Sequence, residues 1–403
     1  MNQESGPKVG RWTGAPHVRL SFPPHAITIV RMPGRKSTTK HVSNHHDHKR
    51  RDDQISALGA RGRTSLETWR WFDIPKDFDG SALFRSLFRN IEPWALEDEW
   101  EPQTVDDFTR MERWKVSTAR RKIFVLPLSF RAHSDSGMHP SLEQFVEFIE
   151  TYFALPVSVL EEATIKLDKR GKASLNGFPL GSSLSELGER RFDVLHILDY
   201  LFDNVPKSAY CVLAITDEDI FEDEEDPNTI MGRGSGDRVG VVSLYRFTPA
   251  LSRPSSVDHT KNRNPLQTPL SSIEEDGEED IVLESSLFLS RWLLDTCKTL
   301  AHETMHMFGL DHCTHFICVM NANVSPLNDG QDPIHLCPIC LRKLHLSIGF
   351  DPSKRFSELL QFYKKQGWMD EVQFVQDRVE LHRNASPVAS SSSYPLYTTH
   401  DTS

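Results

Sequence analysis

Residues 302–312 read HETMHMFGLDH, and they close the apolar, helix-periodic stretch SLFLSRWLLDTCKTLAHETMHMFG. On a helix His302 and His306 are four residues apart, so both imidazoles leave the same face and can bind one metal ion. Glu303 lies between them and can reach a water at that ion without itself becoming a ligand. Gly309 stands where the helix has to end, and glycine readily takes the left-handed conformation that turns a chain back. His312 can then return as a third ligand. Three protein ligands leave one position open, which is the mark of a catalytic rather than a structural zinc. In a chain of this composition H-E-x-x-H arises by chance about once in twenty sequences, and Gly309 with His312 at this spacing lowers that to about one in ten thousand. The competing account, two satisfied helix histidines and a third in a surface turn, has those odds against it. The pattern implies zinc-assisted hydrolysis with Glu303 as general base.

The next residue is Cys313. Of six cysteines, Cys211 and Cys297 stand alone, while Cys313, Cys318, Cys337 and Cys340 crowd into one short region. Cys337 and Cys340 form C-P-I-C, which alone would also suit a redox pair. With Cys313 and Cys318 nearby, the four fit a closed tetrahedral thiolate site, and a site with no open position is structural. The expectation is therefore two zinc ions per chain. Met320, in CVMNA, follows the third histidine closely. A lone Met is often core filler, but the resemblance of the histidine pattern to metzincin signatures, which carry a downstream methionine turn, implies that Met320 forms such a turn beneath the histidine site.

Outward from this region the chain alternates strand and helix signals. KIFVLPLSF, PVSVL, CVLAIT and GVVSLYRF read as strands, and SLEQFVEFIETYF and RFDVLHILDYLFDNV as helices. The fold class is α/β (α+β), with a mixed twisted sheet and an active-site helix. Residues 1–65 are expected to be a disordered basic arm containing His41, His45, His46 and His48. Residues 66–120 form a lead-in segment packed on the core, and residues 121–350 the catalytic domain. A disordered insertion is expected at 249–280, helices at 351–384 and a disordered Ser-rich tail at 385–403. The acidic runs Asp217–Asp226 and Glu274–Asp280 interrupt the catalytic domain; the second is read as part of the disordered insertion loop, with recruitment of a basic partner as the alternative.

Net charge is −11 over 403 residues, which disfavours general nucleic-acid binding because phosphates require a basic surface. No run of eighteen apolar residues occurs, so no membrane span is expected. The first residues lack an apolar signal region, which points to the cytoplasm or nucleus. Oligomeric state is not readable. Residues Gly240, Val241, Val242 and Ser243 are expected to form part of an edge strand lining the cleft, to which substrate could add as an extra strand; an ordinary buried strand is the equal alternative.

HETMHMFGLDHCTHFICVM followed by CPICLRKL resembles the archaemetzincin family, metzincins that carry a four-cysteine zinc site beside the catalytic motif. The resemblance extends from about Arg121 to Phe350 and is most specific between Cys297 and Lys343. It implies a metzincin-type fold and a zinc metallopeptidase, aminopeptidase-like, acting on a peptide or protein. By matching positions it implies His302, His306 and His312 as catalytic-zinc ligands, Glu303 as acid and base, and the four cysteines as holders of the second zinc. Two other classes remain open: a zinc-stabilised interaction module without peptidase activity, and a redox or metal-buffer protein using C-P-I-C and the histidine-rich arm.

Overall fold

The computed structural model describes residues 26–28, 45–74, 102–111, 115–130, 139–185, 188–222, 230–247, 278–322 and 333–384. The insertion expected at 249–280 falls outside them except for its last residues, and the tail at 385–403 falls outside entirely.

Strands β1 to β12 are Ala26–Thr28, Lys122–Leu128, Val157–Val159, Ile165–Leu167, Ala173–Leu175, Phe178–Leu180, Ser182–Leu184, Arg190–Asp193, Ala209–Thr216, Asp219–Phe221, Ile230–Gly234 and Val239–Ser243. Helices α1 to α9 are His45–Leu58, Leu66–Trp69, Val105–Arg110, Leu142–Phe153, Val194–Asp203, Glu278–Met307, Pro338–Ile348, Pro352–Gln366 and Met369–Asn384. The architecture is mixed α/β. Its main sheet has the order β1-β11-β12-β9-β2-β3. Strands β12, β9, β2 and β3 run parallel, whereas β11 is antiparallel to β12, and β1 is antiparallel to β11.

The central strands are buried on both faces, which is why CVLAIT reads as an unbroken apolar run. Side chains alternate along β9: Cys211, Leu213 and Ile215 join one core cluster, Val212 and Ala214 another. The first cluster is covered by α4 and α6 and extends to α7, α8 and α9. The second is covered by α5 and the two small sheets β4-β5-β6 and β10-β8-β7. Helix α4 starts at a capping box, Ser141 with Gln144, and buries Phe145, Phe148, Ile149, Tyr152 and Phe153.

Two expectations need correction. Residues 1–65 are not wholly without structure: α1 lies inside them, and Gln54, Ala57 and Leu58 near its end are buried. Its few apolar residues left no periodicity to read. Within the first acidic run Asp219 is buried against Arg246 and Asp217 against His139. RFDVLHILDYLFDNV is not helical throughout: Arg190–Asp193 is a strand, and α5 begins after Asp193 caps it by accepting the Leu195 N–H at 2.8 Å.

Candidate metal centres

Helix α6 delivers His302 and His306 to the sheet beside β11 and β12. It ends as its glycine predicts. Gly309 has φ +84°, its N–H donates to His306 C=O at 2.9 Å, and Leu310 N–H donates to Met305 C=O at 3.1 Å. The returning chain sets His312 against the other two rings. Centroids lie 4.7 Å apart for His302–His306, 5.3 Å for His302–His312 and 4.9 Å for His306–His312. The three rings are buried, and one nitrogen from each lies within 4.8 Å of the others.

The orientation of two rings is fixed from behind. His302 Nδ1 bonds the Val319 carbonyl and His306 Nδ1 the Leu310 carbonyl, both at 2.7 Å. A carbonyl can only accept, so each Nδ1 is the protonated nitrogen and each Nε2 is left as a lone-pair donor. The two Nε2 atoms sit 3.0 Å apart, close to the ~3.3 Å edge of a tetrahedron with metal–nitrogen bonds of about 2.0–2.1 Å. The donor set suits zinc.

Glu303 is fully buried. Its Oε2 accepts the Gly234 N–H at 2.5 Å, whereas Oε1 has no protein partner. Burial pushes its carboxyl up to about 8, against the pull of the Gly234 N–H and of Arg233. A divalent cation at the histidines would favour the carboxylate. The strand beside it has no room for side chains: a methyl on Gly232 would meet Glu303 Cγ, and one on Gly234 would overlap the Glu303 carbonyl oxygen.

The four cysteines form the second group of ligand atoms within 4.8 Å, and all are buried. Cys313 Sγ and Cys337 Sγ are 3.7 Å apart, which matches the ~3.8 Å edge of a tetrahedron with zinc–sulfur bonds of about 2.3 Å. Backbone amides point at the sulfurs, from Cys337 to Cys318 at 3.3 Å and from Cys340 to Cys337 at 3.4 Å. Hydrogen bonds from the other cysteines, Cys318 first, hold the Cys313 thiol well below its ordinary range, while burial pushes Cys337 up.

Met320 is buried in the core, and its carbonyl accepts the Cys313 N–H at 2.6 Å. Its turn is thereby tied to the chain between the two sites. Sequence reading missed Asn321 as a builder of this loop. Asn321 Nδ2 donates to the carbonyls of Cys313 and Phe316, and Oδ1 accepts the Cys318 N–H. The affinity of Asn for turns was the available signal.

Gly240, Val241, Val242 and Ser243 do not lie on an edge strand. They belong to β12, which is paired on both sides, by β9 and β11, and is buried along its length. The strand against Glu303 is β11, and β1 pairs with its outer side. No helix among the described residues is long and apolar enough to cross a membrane.

Residues 278–346 match the sequence profile of peptidase family M54. Over 285 residues, 69% of this chain and 72% of the relative, the protein is 33% identical to Archaemetzincin-2 of Pongo abelii. It is 32% identical to Archaemetzincin-2 of Homo sapiens over the same length and coverage. The crystal structure of archaemetzincin from Methanopyrus kandleri aligns with a TM-score of 0.36 and 21% identity, over 58% of this chain and 98% of that one.

Proposed function

The chain belongs to the archaemetzincin family of zinc metallopeptidases, and from that premise we propose that His302, His306 and His312 hold the catalytic zinc, that Glu303 is the general base, and that Cys313, Cys318, Cys337 and Cys340 hold a second, structural zinc. The substrate is a peptide or protein. Zinc, when bound, polarises a scissile carbonyl and acidifies a water beside it.

The observation that carries the reading is the asymmetry of the Glu303 carboxylate. Oε2 is fastened to the Gly234 N–H, while Oε1, on the residue next to His302, is buried without a protein partner. A carboxylate needed only for folding would be satisfied at both oxygens. In this reading Oε1 takes a proton from the attacking water and passes it to the leaving amine. Gly234 keeps the carboxylate from rotating as the proton moves. A zinc-stabilised interaction module would have no use for that arrangement, which counts against the alternative. The aminopeptidase-like character rests on the family resemblance and on no residue described above.

The test is a peptide-library digest by the zinc-loaded protein and by Glu303→Gln. Hydrolysis should fall by about 10²–10⁴-fold while zinc content stays at the wild-type level. Progressive loss of N-terminal residues would establish the aminopeptidase character, and internal cuts would replace it with endopeptidase cleavage. A Glu303→Gln variant as active as wild type would end the general-base assignment.

A further inference from the structure

The turn that carries the third histidine is held by a residue 206 positions earlier in the chain. Gln103 is buried, and it immediately precedes Thr104, the N-cap of α3. Thr104 forms a capping box with Asp107, which fixes the backbone next to Gln103. Its amide then spans the turn after α6. Nε2 donates to the Gly309 carbonyl at 3.0 Å, and Oε1 accepts the Asp311 N–H at 3.3 Å. Only this orientation of the amide works, because the opposite one would set donor against donor and acceptor against acceptor.

The two peptide groups bracket Leu310, whose carbonyl accepts His306 Nδ1. Asp311 is followed directly by His312. One side chain therefore clamps both the carbonyl that aims the second histidine and the segment that presents the third. Gln103 is itself anchored. Buried Lys343, on α7 three residues after Cys340, donates to the Gln103 carbonyl at 2.5 Å and to Oε1 at 2.9 Å.

We propose that Gln103 is a positioning residue for the catalytic zinc, acting through the Gly309–Asp311 turn on His306 and His312. The proposal rests on the reading of the three histidines as zinc ligands. Partners behind metal ligands fix ring orientation, and their loss typically costs about 10–100-fold in metal affinity. Gln103→Met keeps the length and volume of the side chain and removes both amide bonds. Gln103→Glu keeps the acceptor for Asp311 and Lys343 and replaces only the donor to Gly309.

Zinc affinity of the full chain is measured by chelator competition, with His312→Ala as comparator, and the visible spectrum of the cobalt-substituted protein is recorded. Gln103→Met should bind the catalytic metal about 10–100-fold more weakly and shift the d–d bands of the histidine site, with the thiolate charge-transfer bands unchanged. Gln103→Glu should move the same bands by less. Wild-type affinity and spectrum in Gln103→Met would overturn the inference while leaving the ligands intact, provided His312→Ala loses the metal. Parallel loss of both metals in either Gln103 variant would overturn it as well, since Gln103 would then hold the fold and not the turn. Full metal retention in His312→Ala would defeat the ligand reading itself.

Discussion

The histidine and cysteine clusters are neighbours in sequence, joined at the His312–Cys313 bond, yet their surroundings are built from opposite halves of the peptide group. Behind the histidines stand carbonyls, of Val319 and Leu310. Around the cysteines stand amide N–H groups, of Cys337 and Cys340. A neutral imidazole must lose no proton to bind zinc but must be told which nitrogen to offer, and an acceptor at Nδ1 does that. A thiolate must carry negative charge inside the protein, and donors lower that cost. The outer contacts thus distinguish a centre tuned for aim from one tuned for charge.

The comparison predicts unequal damage. The largest effect should come from Cys340→Ser. A closed thiolate site stabilises the fold outright, because the unfolded chain has no preformed site. Its loss should free the start of α7, and with it Arg342, which holds the carbonyls of Leu58 and Ala60, and Lys343, which holds Gln103. A fall in melting temperature on the order of 10 °C is expected, each kcal/mol being worth about 2–4 °C in a domain of this size. A Cys340→Ser protein with two zinc ions and an unchanged melting curve would break the comparison, leaving C-P-I-C as a redox pair.

Gly234→Ala should come next and strike the other centre alone. The added methyl has to push β11 from α6, at a cost of about 1–3 kcal/mol, and it breaks the amide contact to Glu303. Hydrolysis should drop sharply with the thiolate zinc retained. Wild-type turnover would show that Glu303 does not need that amide.

The smallest effect should come from Glu371→Gln. Glu371 pairs with His335 at 2.5 Å, and the His335 carbonyl accepts the Val319 N–H, one peptide unit from the carbonyl behind His302. The amide can still hydrogen-bond, so a loss of about 1 kcal/mol is expected, with both metals kept at full occupancy. Release of zinc from the histidines in this variant would sharpen the comparison by showing that their aim depends on α9 as well.

Legibility in the sequence follows the range of the interactions. His302, Glu303, His306, Gly309 and His312 are local, set by helix period and one turn, and their pattern could be read directly. The cysteines were legible as a crowd, though not the amides around them. Strand β11, IMGRG, gave no strand signal because two of its five residues are glycines. The neighbouring GVVSL, apolar and β-branched, reads as the cleft edge in its place. Which of two adjacent strands lies nearer the rim is a property of sheet order, which the strand's own residues do not encode. Gln103 and Lys343 were invisible for the same reason. They meet across 240 residues, and EPQTVDDF on its own announces only a helix cap.

The two glycines of β11 carry a consequence for selectivity. Where β11 passes Glu303 it offers bare backbone, because neither Gly232 nor Gly234 can accept even a methyl without displacing Glu303 or the helix that bears it. Preference for one substrate side chain over another is normally adjusted by exchanging residues that line the wall. That route is closed at these two positions of β11, so discrimination by the enzyme has to be written on other residues.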